Sequence, residues 1–507
     1  MIRNIPAGPQ AWTRSLGALH AEWSGHTSPT MHISPTAPPP AAAAPPHRTA
    51  APPPPVDLTR DVDTSGSLPQ MPTRPASPAA PSVSRSLEGP AKPLRSAQDW
   101  RVLLAVFWVT SMVEAMGVSQ IFALLPSYLA HLGVAQTDRL AFIGLFSSLV
   151  FVVGLPLVPL WGVWADKYSR KAVIVRSALV EAVVFAGVAL SREPWQLALS
   201  MLLIGFQLGN TGVMLASIRD VVPRRRLGTS IAIFGASGPI GLALGPTLAG
   251  LFIDGFGWSF SAVFSFSAVL SVVTALLVAF GSREVRPEVV PIGRVIDLAF
   301  GAVRGVLADP AVRRIFLIFG VSYLATQMSR PYIPVIVEAL AGKGPGLASS
   351  IALVMGTAAL VGGLVAPFGG VIGDRIGFRP VLIVALAGAG IGLLLMPFVT
   401  SIGALAVSAV VLGAATATVS AMVFGLLALE VPAERRSATL NLVYLPLYAA
   451  GIVGPAIGAA VASVGGVGGP FVVSAMVLML GVAAIATRRQ PPTGRDVGPV
   501  PEGAAGC

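Results

Sequence analysis

Residues 162–171 of the chain read Gly-Val-Trp-Ala-Asp-Lys-Tyr-Ser-Arg-Lys. A long apolar run, residues 140–161, precedes this stretch, and another, residues 172–190, follows it. Four charges within six residues, between two membrane-length apolar segments, predict a tight loop at a water–lipid interface. The small residues before Asp166 allow two helices to approach closely there.

The same pattern returns at residues 370–379, Gly-Val-Ile-Gly-Asp-Arg-Ile-Gly-Phe-Arg, where Asp374 follows Asp166 by 208 residues. Two further pairs recur after 209 residues: Val222-Pro223 as Val431-Pro432, and Gly245-Pro246 as Gly454-Pro455. Three landmarks at nearly one offset predict two six-helix halves in parallel topology. Halves of this kind place a substrate site at their interface near mid-membrane.

The composition indicates a membrane protein. Hydrophobic residues make up 54% of the 507 residues, and charged residues only 11%, whereas about a quarter of a soluble chain is charged. The prediction is an all-α membrane protein with twelve transmembrane helices in two pseudo-symmetric halves. The predicted spans are 101–131, 141–164, 172–191, 195–219, 229–253, 258–281, 312–340, 348–373, 380–400, 403–430, 438–464 and 469–487.

The net charge of +11 does not indicate nucleic-acid binding, because the basic residues lie in alternate loops. This alternation follows the positive-inside rule and predicts that both chain ends are cytoplasmic. The basic loops contain Lys167, Arg170, Lys171, Arg176, Arg224 to Arg226, Arg283, Arg286, Arg294, Arg304, Arg375, Arg379, Arg435, Arg436, Arg488 and Arg489, and the intervening loops contain mainly Arg139, Arg192 and Lys343.

The predicted layout comprises a tail (1–98), a first half (99–282), a cytoplasmic linker (283–310), a second half (311–488) and a short cytoplasmic tail (489–507). The first tail is rich in Pro and Ala and is predicted to be disordered, because it has too little apolar surface to bury. It is either a tether or docking segment, a dispensable tail, or the product of an early start codon, with Met71 as the true start. An amphipathic piece near residues 295–307 is predicted to lie on the cytoplasmic surface.

Residue types that support catalysis or cofactor binding are scarce. The only cysteine is Cys507, so the sequence allows no intrachain disulfide and no cysteine-based metal cluster. The five histidines are His20, His26, His32 and His47 in the tail and His131 at an outer loop, which do not form a metal cluster. A phosphate-binding Gly-Lys-Ser/Thr loop is also missing. We therefore expect no enzymatic activity, no cofactor and no use of ATP.

These motifs resemble those of the major facilitator superfamily, in its twelve-helix drug–proton antiporter branch, over residues 100–488. The first loop is similar to the family's cytoplasmic signature at Gly162, Asp166, Arg170 and Lys171, with Ser169 in place of the usual glycine. The second-half copy contributes Gly370, Asp374 and Arg379. Residues 241–250 resemble the antiporter signature of helix 5 at Gly241, Gly245, Pro246 and Gly250, with Ala249 where glycine is commoner.

The resemblance implies a latch between the two halves. In the family, the aspartate of the first loop caps helix 11 and the arginine pairs with an acid that ends helix 4. Carried over to this chain, Asp166 faces the start of helix 11 near Ser437, and Arg170 pairs with Asp220. The alternative is that these charges only hold the loop in the cytoplasm.

Two acids are embedded in predicted helices. Glu114 lies about a dozen residues into the first helix and so near mid-bilayer, where a charged residue costs about 2.5–3.5 kcal/mol on insertion scales. We predict that Glu114 binds and releases protons, the alternative being a protonated structural glutamate. Glu181, in the third helix within reach of Arg176, is either a second coupling residue or half of a structural pair.

Polar residues of other helices are candidates for the substrate cavity or for hydrogen bonds between helices. They are Gln207, Asn210, Gln327, Arg330, Asn441, Tyr444 and Tyr448. Arg330 is a substrate contact, a counter-charge for Glu114, or a residue of the outer interface. One departure from the family bears on coupling: Met201 stands where the helix 4 signature has an arginine thought to transfer protons.

The sequence therefore predicts a bacterial inner-membrane exporter of small, largely apolar compounds, driven by protons through alternating access. Its expected partners are the lipid bilayer, a small-molecule substrate and protons, and we expect a monomer. The alternatives are an exporter of a dedicated metabolite, such as a sugar or siderophore, and a non-transporting membrane sensor or scaffold.

Overall fold

The computed structural model describes residues 99–287, 290–430, 442 and 444–487. In these residues every regular element is a helix and no strand is present, as the predicted all-α class requires. The tail 1–98, the C-terminal residues 488–507 and the segment 431–441 lie outside the described residues, so the predictions for the tail, Ser437 and Asn441 also lie outside them.

The two groups of helices have bounds close to those predicted. The helices of the first half are α1 (Trp100–His131), α2 (Gln136–Lys167), α3 (Arg170–Leu190), α4 (Pro194–Val221), α5 (Arg224–Gly255) and α6 (Phe260–Gly281). A linker helix (Val295–Ala308) follows. The helices of the second half are α7 (Pro310–Ser329, Arg330–Tyr332 and Ile333–Ala341), α8 (Leu347–Ile376), α9 (Phe378–Phe398), α10 (Ile402–Glu430), α11 (Leu445–Gly465) and α12 (Gly469–Thr487).

Eleven helices in the described part of the chain are long and apolar enough to cross a membrane. The twelfth, α7, contains Arg313, Arg314 and Arg330 and is interrupted by a 3-10 turn. Large apolar side chains cover the outside of the bundle, with Phe280 85% exposed and Leu364 69% exposed. Such a surface is stable only when lipid covers it, which agrees with a multi-pass membrane protein.

Helix pairs in the first half recur in the second. α1 packs on α5 as α7 packs on α11, and α3 packs on α6 as α9 packs on α12. The halves meet along two interfaces, α5–α8 and α2–α11. The sequence repeat relates α5 to α11 and α2 to α8, so each interface is the counterpart of the other. The arrangement therefore has the internal symmetry that the repeated landmarks predict.

Several helices are broken, and the sequence explains each break locally. In α2 the helix is interrupted at Val153, because Pro156 has no N–H for the i−4 carbonyl. In α4 a 3-10 turn leads into Gly209, whose φ of 100° is a left-handed conformation suited to glycine. In α7 the break lies at Arg330–Tyr332, next to Pro331 and Pro334.

Two ends of the bundle are distinguished by charge. The basic end is the end at which the α2–α3 loop meets the end of α4 and the residues after α6. The far end is the opposite one and carries the α1–α2, α3–α4, α5–α6 and α7–α8 loops.

Candidate functional site

The break in α4 forms one wall of a polar cluster inside the first half. Gln207 and Asn210 flank Gly209, and both side chains are buried. The Asn210 Nδ2 donates a hydrogen bond of 2.8 Å to the Glu114 Oε2 on α1. The left-handed turn at Gly209 thus brings the Asn210 amide to the embedded carboxylate of Glu114.

The cation of this cluster is Arg176 on α3. Its guanidinium carbon lies 3.6 Å from the centre of the Trp161 ring, and its Nη2 donates 2.8 Å to the Ser177 Oγ. Arg176 interacts electrostatically with Glu114, whereas Arg330 interacts with Tyr323 in the second half. Arg330 lines the cavity between the halves, and its suggested role as the counter-charge for Glu114, one of three alternatives, stays a prediction.

Glu181 lies deep in the same cluster, with only 2% of the residue exposed. Its Oε1 has no hydrogen-bond partner among the described residues, and it faces Gly117, one turn after Glu114 on α1. The structure shows no ion pair between Glu181 and Arg176 within 4.0 Å in the described part of the chain. The suggested Arg176–Glu181 pair is thus not formed, since the arginine turns towards Trp161 and Glu114.

Several buried polar atoms of this cluster have no partner among the described residues. They are the Trp161 Nε1, the Arg176 Nε and Nη1, the Gln207 Nε2 and the Asn210 Oδ1. Leaving a buried donor or acceptor unsatisfied costs about 1–3 kcal/mol. The polar cluster (Glu114, Trp161, Arg176, Glu181, Gln207 and Asn210) therefore has free hydrogen-bonding capacity that water molecules can fill.

The glycines of the helix 5 motif place α5 directly on α1 beside this cluster. A Cβ at Gly241 would overlap the Met112 carbonyl oxygen, and a Cβ at Gly245 would overlap the Met116 carbonyl oxygen. Gly250, in contrast, abuts Ala348 and Ser349 of α8 in the other half. Pro246 lies inside the helix between them and is buried. Small residues thus allow close backbone contact on both sides of Glu114 and across the half interface.

Met201 is completely buried and belongs to a large apolar cluster that includes Val184 and Phe185. Met201 therefore supplies no charge at the position where the family signature has an arginine, and the cation that interacts with Glu114 is Arg176 on α3. The sequence signal was the position of Arg176, six residues inside α3, where it was interpreted as a topogenic charge and as a possible partner of Glu181.

A separate cavity of about 470 Å³ lies between the halves. Its polar lining comes chiefly from α7 and α10, with α8 and residues of α1 and α5 completing the wall. Of the predicted cavity residues, Gln327 and Arg330 line it, while Gln207 and Asn210 belong to the polar cluster instead. The 3-10 turn at Arg330–Tyr332 interrupts α7 at this wall.

Tyr444 and Tyr448 lie at the start of α11 in an aromatic row with Phe424 and Phe151. The ring centres are 6.1 Å apart for Phe424–Tyr444, 6.4 Å for Tyr444–Tyr448 and 6.0 Å for Phe151–Tyr448. The row crosses from α10 to α2 of the other half, and Phe424 also lines the cavity. A role for Tyr444 and Tyr448 in the substrate path stays a prediction.

The loop at the basic end is held by Arg170, which is 2% exposed. Its Nε lies 2.8 Å from the Asp166 Oδ1, and its Nη1 lies 2.7 Å from the Asp220 Oδ2. The Arg170–Asp220 contact implied by the resemblance is therefore present. Its role as a gate stays a prediction, as does the contact of Asp166 with the start of α11.

Sequence reasoning missed Glu284, which follows α6 and holds the first turn of α3. Its carboxylate accepts hydrogen bonds from the Ser169 Oγ, at 2.5 Å, and from the Arg170 N, at 2.8 Å. Ser169 also caps α3 by accepting from the Ala172 N at 3.0 Å. Lys171 donates 2.8 Å to the Ser282 carbonyl. The departure from the family at Ser169 thus provides a hydroxyl that glycine could not.

In the second-half copy of the loop, Gly370 has open space around it and Asp374 is exposed. Arg379 donates to the carbonyl oxygens of Ile485 and Ala486 at the end of α12, at 2.7 and 3.1 Å. The two loops therefore differ in their contacts, although their sequences match.

The far end is joined by contacts that the sequence did not indicate. The Arg139 Nη1 of α2 lies 3.0 Å from the Glu338 Oε1 of α7, with side chains 9% and 11% exposed. The Asp254 Oδ2 accepts from the Ser349 N at 2.7 Å. Both contacts run between the first and second halves. No sequence signal marked them, because loop charges of opposite sign are common and pair only in the folded chain.

Known proteins share the sequence pattern and the fold. A sequence profile of the Major Facilitator Superfamily matches residues 107–342 and 315–506. The multidrug resistance protein MdtG of Citrobacter koseri is 33% identical over 322 residues, 62% of this chain and 77% of that protein. MdtG of Salmonella typhi is 32% identical over 322 residues, 62% of this chain and 78% of its own length.

Solved structures with low sequence identity have the same fold. The human organic anion transporter MFSD10 is 17% identical, with a TM-score of 0.59 over 77% of this chain and 100% of its own. A bacterial homologue of the human lysosomal transporter Spinster, inward-facing and occupied, is 14% identical, with a TM-score of 0.64 over 77% of this chain and 97% of its own.

Proposed function

The chain belongs to the major facilitator superfamily, and on this basis we propose that protons drive its export of small, largely apolar compounds. Its fold and its similarity to multidrug resistance proteins make it a secondary transporter of the multidrug-efflux type. The family and the relatives are transporters, and we propose no bond-making reaction.

The observation that carries proton coupling is the placement of two carboxylates, Glu114 and Glu181, inside the first half. Neither forms an ion pair within 4.0 Å in the described residues. Apolar surroundings disfavour an ionised carboxylate, and a nearby cation favours it. Glu114, which contacts Asn210 and interacts with Arg176, is therefore the residue that exchanges protons, and Glu181 behind it is the second candidate.

Alternating access requires the halves to separate at one end and close at the other. The Arg139–Glu338 and Asp254–Ser349 contacts close the far end. We place the basic end in the cytoplasm, because basic loops are retained there, so that the far end faces outside. The protein would then act as a monomer in a bacterial inner membrane, with both termini in the cytoplasm.

The experiment is transport into inside-out vesicles, with and without a pH gradient, across a panel of neutral, cationic and anionic apolar compounds. Accumulation that collapses with the gradient supports proton-driven export. Glu114→Gln keeps the size and hydrogen bonding of the side chain but cannot ionise. It should abolish accumulation and retain downhill exchange. Asp138→Asn, at an exposed acid of the far end, is the matched control and should transport normally.

A direct measurement is compound-induced proton release from the purified protein. Release by the wild type and its loss in Glu114→Gln support the assignment. Equal release from both proteins would assign coupling to Glu181 or another group, and Glu181→Gln would then be compared. No release from the wild type would overturn proton coupling and indicate a uniporter.

A further inference from the structure

In the part of the chain that the structure describes, the wall of the cavity between the halves contains one charged residue, and that residue is cationic. Arg330 is the only Lys, Arg, Asp or Glu among the described lining residues. It forms no ion pair within 4.0 Å in the described part of the chain. Its guanidinium carbon lies 5.7 Å from the Phe122 ring centre, a weak contact that leaves most of its donors free.

The rest of the wall is apolar or neutral. Leu242, Ile333, Met355, Leu412 and Phe424 supply apolar surface, and small residues of α8 and α10 leave room between them. The neutral hydrogen-bonding residues of the described lining are Ser119, Tyr323, Thr326, Gln327, Thr416 and Ser420. The Tyr323 and Ser420 hydroxyls already contact each other at 3.2 Å. Among the described lining residues, no group carries a negative charge that would neutralise the guanidinium.

We propose that this cavity binds apolar organic anions, with Arg330 holding the anionic group and the apolar wall holding the body of the compound. This inference rests on the proposed transport function and names the substrate class of its central cavity. The volume of about 470 Å³ suits a drug-sized molecule. A guanidinium presents a planar set of donors that matches a carboxylate or phosphate in two parallel hydrogen bonds.

The same charge discriminates against cations. A positive group near Arg330 would be repelled, and no described lining carboxylate would offset the repulsion. A neutral compound of equal shape would keep the apolar contacts but leave the guanidinium unpaired. The expected order of affinity is therefore anion, then neutral, then cation, for compounds of one shape.

The test uses three tricyclic probes that differ only in the polar group: anthracene-9-carboxylate, anthracene-9-carboxamide and protonated 9-anthracenemethylamine. Binding is measured by equilibrium dialysis, without any gradient, against the full chain in phosphatidylcholine nanodiscs, with empty nanodiscs subtracted. The wild type should bind the carboxylate roughly 10- to 100-fold tighter than the carboxamide, since hydrogen bonds to charged groups are the strong ones. Equal affinities for these two probes in the wild type would overturn the proposal without any variant.

Variants then assign the preference to Arg330. Arg330→Gln should reduce carboxylate affinity to that of the carboxamide, and Arg330→Lys should keep part of the preference. Arg314→Gln removes an exposed arginine of the same helix, outside the cavity, and should leave all three affinities unchanged. A preference that survives in a folded Arg330→Gln would overturn the assignment.

An anionic lipid could supply the same chemistry. Repeating the assay with phosphatidylglycerol in the nanodiscs distinguishes the two sources. If phosphatidylglycerol weakens carboxylate binding to the wild type but not to Arg330→Gln, the site binds a lipid headgroup. If phosphatidylglycerol does not weaken carboxylate binding, the site binds a soluble anion. Anion-selective binding without vesicle transport would contradict the proposed function and support the site. Transport of neutral compounds without anion-selective binding would support the proposed function and contradict the anion site.

Discussion

Arg139 and Glu338 are 199 residues apart in the chain, yet their side chains form a 3.0 Å ion pair that joins α2 to α7 at the far end. Lys343 lies 3.8 Å from the same carboxylate but is mostly exposed. Since Arg139 and Glu338 are nearly buried, removing one leaves the other charge without its partner. The pair therefore contributes directly to the closed far end.

We predict that Arg139→Gln opens the far end. Removing one partner of a buried charge pair costs on the order of 2 kcal/mol or more. The conformational equilibrium should therefore shift towards the state in which the two halves are separated at the far end. The measurement is the electron–electron distance between spin labels at Thr137→Cys and Ala341→Cys, in a Cys507→Ser background. Arg192→Gln, at an exposed arginine of the same end, should leave the distance distribution unchanged. An unaltered distribution in Arg139→Gln would show that the pair does not hold the end closed.

The latch at the basic end should matter for transport more than for insertion. Arg170→Ala removes the buried guanidinium that pairs with both Asp166 and Asp220, so the two carboxylates lose their shared cation. The conformation that contains the latch should lose on the order of 2 kcal/mol of stability. The loss is less than for a fully buried pair, because water solvates both partly exposed carboxylates. Asp166→Asn should have a smaller effect of the same sign.

The measurement for the latch is the vesicle transport rate normalised to membrane expression. Arg225→Ala removes an exposed charge from the same end and tests topology alone. If Arg170→Ala and Arg225→Ala behave alike, the loop charges serve only to orient the protein.

Glu284 should stabilise the start of α3. Glu284→Ala removes the acceptor of the Ser169 hydroxyl and of the Arg170 amide, and loss of a helix cap costs about 0.5–2 kcal/mol. We expect a lower midpoint of thermal unfolding in detergent. The measurement is the fraction of protein that size-exclusion chromatography still detects as monodisperse after heating. Ser169→Gly, which restores the residue usual in the family, should give a smaller loss, because glycine is tolerated at a helix N-cap at a cost of only a few tenths of a kcal/mol. An unchanged midpoint in Glu284→Ala would show that this contact is not stabilising.

The glycine face of α5 should not tolerate a methyl group. In Gly241→Ala the new Cβ would overlap the α1 backbone near Met112, and overpacking of this kind costs typically about 1–3 kcal/mol. Thermal unfolding should therefore occur at lower temperature, and transport should fall. Gly238→Ala, one turn earlier, places its Cβ in open space. It should be neutral or slightly stabilising, since alanine favours a helix over glycine. Equal behaviour of the two variants would contradict close α1–α5 packing as the cause.

The sequence predicted the bounds of the helices well, but it did not predict the breaks inside them. Spans such as 469–487 agree with the structure residue for residue, because hydropathy and loop charges reflect the transfer of each segment into lipid. The breaks at Val153, Gly209 and Arg330 were not predicted. A helix in lipid continues through glycine and proline when neighbouring groups satisfy the freed backbone, so these residues alone do not locate a break.

For the site, the sequence by itself determined that Glu114 and Glu181 are embedded acids and that the chain repeats, because these follow from residue type, hydropathy and one offset. The pairing of Arg170 with Asp220 was implied only by the resemblance to the family. The tertiary structure decided how the charges are grouped: Arg139 pairs with Glu338, Arg176 lies in the cluster of Glu114, and Arg330 lines the cavity without an ion pair among the described residues. Partner choice depends on how helices rotate and cross, and this is set by small-residue packing between helices distant in the chain. Spacing along one helix carries no information about that rotation.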